Sequence, residues 1–250
     1  MDIYNKLNSK LMNNNSKFIL NGRTFKDIFN LASGINEIFS SSADCNEVIC
    51  VCTEDKSIIA SALLASLGGG PEIALPYSLS DRVISDMKEE LRFTKILTDN
   101  STEIPSGMEA ILPENIILSD SKVTLSRDPD SVFLKLFTGG TTGKPRVWSK
   151  TPRNILSEAE YLSQKFNITN DDLFAATVSP LHIYGLLFSV VIPFISSARI
   201  INDILSFPKE ITSAIEDLSA TILVSVPMHF RTLKMSSFHR NRLRLAFSSA

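Results

Sequence analysis

Between Leu134 and Arg146 the chain reads Leu-Lys-Leu-Phe-Thr-Gly-Gly-Thr-Thr-Gly-Lys-Pro-Arg, an apolar strand-like run that empties into three glycines, three threonines and a lysine. Glycine lets backbone N–H groups come close to an anion, the threonine hydroxyls add side-chain donors, and Lys144 brings a compact positive charge. In chemical terms the loop is a phosphate cradle. It is not the G-x-x-x-x-G-K-[ST] loop of the common nucleotide triphosphatases, because Thr stands at 138 where Gly would be needed and Pro at 145 where Ser or Thr would be. Nor is there a dinucleotide fingerprint at Gly68-Gly69-Gly70, since the last glycine of G-x-G-x-x-G would fall on Ile73. Read by composition alone, a Gly/Thr run more often makes a surface turn.

The surrounding pattern is that of a helix-covered parallel sheet. Thr24 N-caps a helix running to about Phe39, with Phe25, Ile28, Phe29, Ala32, Ile35, Ile38 and Phe39 on one face. Val48 to Cys52 reads as a buried strand, Ile58 to Leu67 as a helix stopped by Gly68-Gly69-Gly70-Pro71, and Ile73 to Leu75 as a strand. A charged helix over Asp81–Leu91 and a strand over Lys95–Thr98 follow. The stretch 99–130, rich in Ser, Thr, Pro and Asp, reads as a looping connection with one or two short strands near Ala110–Leu112 and Ile116–Leu118. Beyond it come strands at Val132–Phe137, Leu173–Val178, Ala198–Ile201 and Thr221–Val226, with helices at Pro152–Phe166, Ile183–Ser196 and Phe207–Leu218. Alternation of this kind predicts an α/β protein of two doubly wound subdomains, 1–130 and 131–250, the second carrying the phosphate loop.

Composition narrows the function classes. With 25 Lys+Arg against 27 Asp+Glu and no basic tail, the chain lacks the extended cationic face that phosphate-backbone binding demands, so nucleic acid is set aside. The apolar stretch Ile183–Ser196 is shorter than a membrane span and contains Pro193, so it reads as a core helix. The first residues hold no apolar core of signal-peptide length. Three cysteines, Cys45, Cys50 and Cys52, form an odd set without framework spacing, which points to the cytoplasm. Cys50-Val51-Cys52 has no second Cys or His cluster nearby, so no metal site is read there. Asp171-Asp172 reads as a turn with a cap, and Phe137 and Trp148 as packing residues beside the loop.

Thr138 to Val147, T-G-G-T-T-G-K-P-R-V, resembles the T-S-G-T-T-G-K-P-K-G signature of the adenylate-forming acid-activating enzymes: acyl-CoA synthetases, luciferases and peptide-synthetase adenylation domains. Seven of the ten positions are identical, Gly139 standing for the usual Ser, Arg146 for Lys and Val147 for Gly. Gly22-Arg23-Thr24-Phe25 is similar to the family's opening helix, and Val48–Leu75 to its first strand, helix and strand. Ser179-Pro180-Leu181-His182-Ile183-Tyr184-Gly185 is similar to its P-x-x-H-x-x-G region, whose histidine borders the acid pocket. Ser225-Val226-Pro227 and Leu243–Ala250 resemble the strands around its acid- and adenine-contacting loop. Lys150-Thr151 and the run from Ala176 to Leu187 look most like the small branch serving aryl-polyene and lipid-type pathways.

The resemblance implies the large-domain fold of that family and an ATP- and Mg²⁺-dependent ligase that turns a carboxylic acid into an acyl adenylate, for transfer to CoA or an acyl carrier protein. It implies nucleotide binding by Thr138, Gly139, Gly140, Thr141, Thr142, Gly143 and Lys144, with Thr141 and Lys144 catalytic, and acid binding by His182, Gly185 and Ser249. The family's later aromatic-Gly-x-Thr-Glu motif, its ribose-binding Asp and its C-terminal Lys have no counterpart up to Ala250. On that footing the expectation is a truncated N-terminal part. The alternative is a non-catalytic remnant, or one lobe of a split enzyme that needs a separately encoded second polypeptide.

Overall fold

The computed structural model describes residues 2–11, 14–40, 47–100, 104–118, 123–139, 146–234 and 242–249. Two compact units divide it: residues 1–16 with 24–157, and residues 17–23 with 158–250. Both are α/β, as the alternation of elements predicts.

In the first unit, α1 (Asp2–Leu11) and α2 (Phe25–Ser40) precede β1 (Val48–Cys52), α3 (Lys56–Leu67), β2 (Glu72–Leu75), α4 (Asp81–Leu91), β3 (Lys95–Thr98), β4 (Glu109–Ile111), β5 (Leu134–Thr138) and β6 (Arg146–Lys150). Among the described residues they make a six-stranded sheet in the order β4-β3-β1-β2-β5-β6, parallel throughout except for β6, which returns antiparallel along β5. Parallel strands covered on both faces are apolar along their whole length, and Val-Ile-Cys-Val-Cys of β1 is buried at every residue. Its alternate residues Val48, Cys50 and Cys52 join Ala74, Ile96 and Phe137 on one face, under Val83, Ile84 and Met87 of α4. Ile49, Val51, Ile73, Leu75, Leu134 and Leu136 are buried too. Helix α3 packs against α2 and β2 with all twelve residues buried, eleven of them Ala, Ser, Leu or Ile and the first Lys56. Its serines stay satisfied: Ser61 Oγ donates to the Ser57 carbonyl at 2.8 Å and Ser66 Oγ to that of Phe133 at 3.1 Å. Asp55 caps it by accepting from the N–H groups of Ser57 and Ile58.

The first of these units ends within α5 (Pro152–Lys165). The reason is hydrogen bonding: Ile73, Ala74 and Leu75 of β2 pair with Leu134, Lys135 and Leu136, so the strand before the phosphate loop is a member of the first sheet. The polar connection is tied in as well. Arg127 donates from Nε to the Ser66 carbonyl (2.7 Å), from Nη1 to Val132 (2.9 Å) and from Nη2 to Gly70, joining the end of α3, the glycine turn and the approach to β5. Ile116–Leu118, read as a strand, forms none. A 3₁₀ turn at Pro113–Asn115 precedes it, and Ile117 and Leu118 are exposed.

The second unit holds β7 (Leu173–Ala176), β8 (Arg199–Ile204), α8 (Pro208–Glu216), β9 (Ile222–Ser225), α9 (Pro227–Leu233) and β10 (Leu245–Ser248). Its four strands are parallel, in the order β10-β9-β7-β8. Residues 17–23 belong here because Ile19 bridges to Ile200, Ile200 N–H donates to the Phe18 carbonyl (2.8 Å), and the Phe18 ring meets Phe194 edge-on at 5.4 Å. The apolar stretch is helical as read, α6 (Ile183–Leu186) and α7 (Ile192–Ser196) being joined by a π-helical turn over Leu187–Val191. A proline cannot donate and its ring crowds the carbonyl four residues back, so Pro193 accounts for the widened turn before it. No helix among the described residues is long and apolar enough to cross a membrane.

At the amino ends of β7, β9 and β10 a single carboxylate gathers the second sheet. Asp172 accepts from Arg244 Nε (2.8 Å), the Thr221 hydroxyl (2.7 Å) and the Thr169 N–H (2.9 Å), while Arg244 also reaches the Phe166 and Asn167 carbonyls at 3.0 Å. The turn-and-cap reading of Asp172 is what the structure shows, with Arg244 as a partner that spacing did not reveal. Burial is the largest influence on the Asp172 carboxyl and pushes it up, but the bonds from Arg244, Thr169 and Thr221 together hold it below the usual carboxylate range. A carboxyl whose folded value lies below its unfolded one stabilises the fold above about pH 4, and that contribution fades as pH falls through the folded value. Asp172→Asn is expected to cost about 2 kcal/mol at pH 7, moderated because Arg244 keeps contact with water. Urea unfolding should show its gap from the parent protein closing below pH 4.

Candidate functional site

Of the loop residues, Thr138 and Gly139 are described. Gly140, Thr141, Thr142, Gly143 and Lys144 lie outside the described residues. What is visible is how the loop is held. Thr138 and Arg146, its two flanks, are a directly paired couple of the β5–β6 ladder, and Thr138 Oγ1 donates to the Arg146 carbonyl at 3.4 Å. Strands β5 and β6 are therefore the two antiparallel arms of a hairpin. In the triphosphatase loop a helix follows and lends its N-terminal dipole to the phosphates; here a strand follows.

Tyr77 is the residue beside this loop that sequence reasoning missed. Since Leu75 pairs with Leu136, Tyr77 and Thr138 each lie two residues beyond a matched couple, at the carboxyl ends of neighbouring strands. Its ring is parallel to that of Phe137, 5° apart in plane with centroids separated by 6.5 Å. Phe137 is buried, as a packing residue should be, whereas Trp148 is 53% exposed on the edge strand and does not pack as expected.

The acid-site candidates all belong to the second unit. Strand β7 continues to β8 on one side, and β9 then takes the other side of β7. That reversal is the topological switch point of a parallel sheet, where the carboxyl ends of two strands open a crevice. Thr177 and Ser225 meet there, hydroxyl to hydroxyl at 2.8 Å and both buried. The Ser225 carbonyl accepts from Tyr184 Oη (3.2 Å) and from the Ser249 N–H (3.4 Å). Burial pushes the Tyr184 phenol up to about 12, with the Ser225 bond opposing it. Ser225 thus brings the Tyr184–Gly185 turn and Ser249 to one place. A chain of aromatic contacts runs from Tyr184: Phe188 lies 5.0 Å from Tyr184 and 4.8 Å from Phe247, which meets Phe166 at 5.0 Å.

His182 is exposed and stands at the start of α6, its N–H donating to the Ser179 carbonyl at 3.3 Å. Pro180 precedes it by two residues, one fewer than in the P-x-x-H-x-x-G pattern. Gly185 has a steric reason to be glycine, because a Cβ there would stand 2.0 Å from the Ser179 carbonyl oxygen. The relation between these residues and Thr138 is left aside, as the two groups lie in separate units.

No group of three or more His, Cys, Asp or Glu side chains that could hold a metal stands together among the described residues. Cys50 and Cys52 share a buried face of β1 with sulfurs 3.4 Å apart, and burial pushes the Cys50 thiol well up; Cys45 lies outside the described residues. At the crevice, Gly185→Ala is expected to destabilise the second unit by about 3 kcal/mol, since backbone must move to admit the methyl. Urea denaturation followed by tryptophan-independent circular dichroism measures it.

The geometry can be set beside known proteins. The model of a family described as AMP-binding enzyme matches residues 48–249. Acyl-CoA ligase SID4 of Ajellomyces capsulatus is 24% identical over 144 residues, an alignment covering 52% of this chain and 24% of that protein. ATP-bound MatB from Rhodopseudomonas palustris superposes with a TM-score of 0.82 at 17% identity, over 99% of this chain and 54% of that one. The o-succinylbenzoate CoA synthetase MenE from Bacillus subtilis, in complex with OSB-AMP, gives 0.82 at 16%, over 100% and 68%. The chain therefore spans about a quarter of that curated relative and about half of MatB. At such identities the superpositions speak for the fold alone, that of the α/β amino-terminal domain of adenylate-forming enzymes. With the matched segment running from β1 through β10 and enclosing both the glycine–threonine hairpin and the switch-point crevice, the chain belongs to the AMP-binding enzyme family.

Proposed function

We propose that this chain is the nucleotide- and acid-binding portion of an ATP-dependent ligase that forms an acyl adenylate from a carboxylic acid. The observation that carries the reading is the hairpin inside the matched segment, which keeps seven of the ten signature residues and whose flanks Thr138 and Arg146 are paired. In this reading the N–H groups at Gly139, Gly140 and Gly143, the hydroxyls of Thr138, Thr141 and Thr142, and the Lys144 ammonium hold the phosphates of ATP. His182, Gly185 and Ser249 border the acid. Attack by the carboxylate on the α-phosphorus expels pyrophosphate. The residues act by holding the reactants in line and by offsetting charge, so no protein nucleophile is required. The relatives named as acyl-CoA ligases support CoA as the thiol acceptor, with a carrier protein as the other acceptor of the same chemistry. Mg²⁺ would travel with the ATP; the described residues offer no cluster to hold it.

The coverage of the relatives favours a second reading, in which residues 1–250 bind nucleotide and turnover needs further polypeptide. Two measurements separate the readings. Calorimetric titration with ATP or pyrophosphate should give binding that Lys144→Ala weakens by about a hundredfold and Thr141→Ala by about tenfold, the scale of one charged and one neutral hydrogen-bond partner. Equal binding by all three proteins removes the loop's role. Acid-dependent ATP–pyrophosphate exchange by the purified chain would support the first reading, and exchange that appears only on adding a second polypeptide would support the other.

A further inference from the structure

We propose that the acid taken at the crevice of the second unit carries a neutral oxygen substituent, a hydroxyl or oxo group, to which the hydroxyls of Thr177, Ser225 and Ser248 hydrogen-bond. The proposal rests on the acid-binding reading of that crevice and deepens it by naming the class of acid.

The three hydroxyls form one row. Ser225 ends β9, and its register partner is Ser248, which ends β10. On the other side Ala176 of β7 is matched with Val224, so Thr177, the next residue, stands level with Ser225. Register partners on neighbouring strands turn their side chains to the same face, so the row crosses the carboxyl ends of three adjacent strands, β10, β9 and β7. Two residues earlier on that face are Ala175 and Leu223, which belong to the apolar cluster with Ile211 and Ile215 of α8. The face is apolar until its last step, where it turns to hydroxyls.

Two of the three are buried, Ser225 at 0% exposure and Thr177 at 7%. Packing alone would be served there by Ala and Val, and a buried hydroxyl is costly unless its hydrogen bonds are made. Each hydroxyl brings one O–H donor. The 2.8 Å bond between Thr177 and Ser225 uses one proton, whichever group donates it. Among the described residues, neither the second proton of that pair nor the Ser248 hydroxyl has an acceptor. Two donors therefore remain at the strand ends where Ser249 and Tyr184 are held by the Ser225 carbonyl, the place given to the acid. No lysine or arginine side chain among the described residues is bonded to the row, so a second carboxylate would have no counter-ion there, whereas a neutral oxygen needs none. A bare hydrocarbon chain would leave both donors unpaired, the condition under which a site rejects the analogue that lacks the polar group.

The experiment uses the full chain with ATP present and titrates, by ligand-observed NMR, carboxylic acids of one chain length, either plain or carrying a hydroxyl or oxo group at successive carbons. At least one substituted acid is expected to bind about tenfold tighter than the plain acid. Thr177→Val combined with Ser225→Ala replaces both members of the buried pair by apolar groups of similar shape, which should leave the urea midpoint near that of the parent and remove the preference. Ser248→Ala should lower the preference in part, and decides the same question if the double variant fails to fold. If plain and substituted acids bind the parent alike, or the preference survives in these variants, solvent meets the hydroxyls; the proposal is then overturned and the acid reading stands. If no acid of the panel binds, the acid reading of the crevice and the proposal are overturned together.

Discussion

Strand β5 is hydrogen-bonded to β2 on one side and β6 on the other, and the position of the phosphate hairpin depends on that ladder. Leu134, Leu136 and Phe137 are buried, at about 2 kcal/mol each from removing apolar surface from water. Leu134 and Leu136 point to one face and Lys135 and Phe137 to the other, so a slip of one residue would exchange Lys135 with a leucine. Lys135 is instead met at 2.6 Å by Glu72 of the neighbouring strand. Arg127, which burial makes easier to deprotonate than a free guanidinium while Glu72 and Tyr4 oppose that, spends its donors on three backbone carbonyls around the same strand. The outcome is a hairpin whose two flanks are placed by the most deeply covered part of the first sheet.

In the second unit the two ends of the sheet are tied by different groups. Asp172 and Arg244 tie the amino ends of β7, β9 and β10, whereas the Thr177–Ser225 hydroxyl pair, Tyr184 and Ser249 cluster at the carboxyl ends. Acid that protonates Asp172 therefore loosens the frame rather than the crevice. The Gly185 backbone pressed against Ser179 fixes where α6 begins, and so where His182 stands.

Much of this was legible in the chain. Strands β1, β2, β3, β5, β7 and β9 are continuous apolar runs bounded by turn residues, and helices α2 and α4 show one apolar face, so the periodicity located them to within a residue or two. Strand β6 was not legible: Arg-Val-Trp-Ser-Lys is an edge strand with little buried surface, and it forms because β5 offers a partner. Helix α9 after Pro227 and α1 at the N-terminus carry short patterns of the same weakness. Ile116–Leu118 misled for the converse reason, three apolar residues without a neighbour to pair with.

The sequence by itself determined the α/β class, the chemistry of the Thr138–Lys144 run and the family it belongs to, because glycine freedom, hydroxyl donors and an ammonium are properties of residue types in order. Tertiary structure alone decided that β5 and β6 belong to the first sheet, that Asp172 answers to Arg244 seventy-two residues away, and that Ser225 joins Tyr184 to Ser249. These are pairings between segments far apart in the chain, and nothing local records which donor meets which acceptor until the sheets assemble.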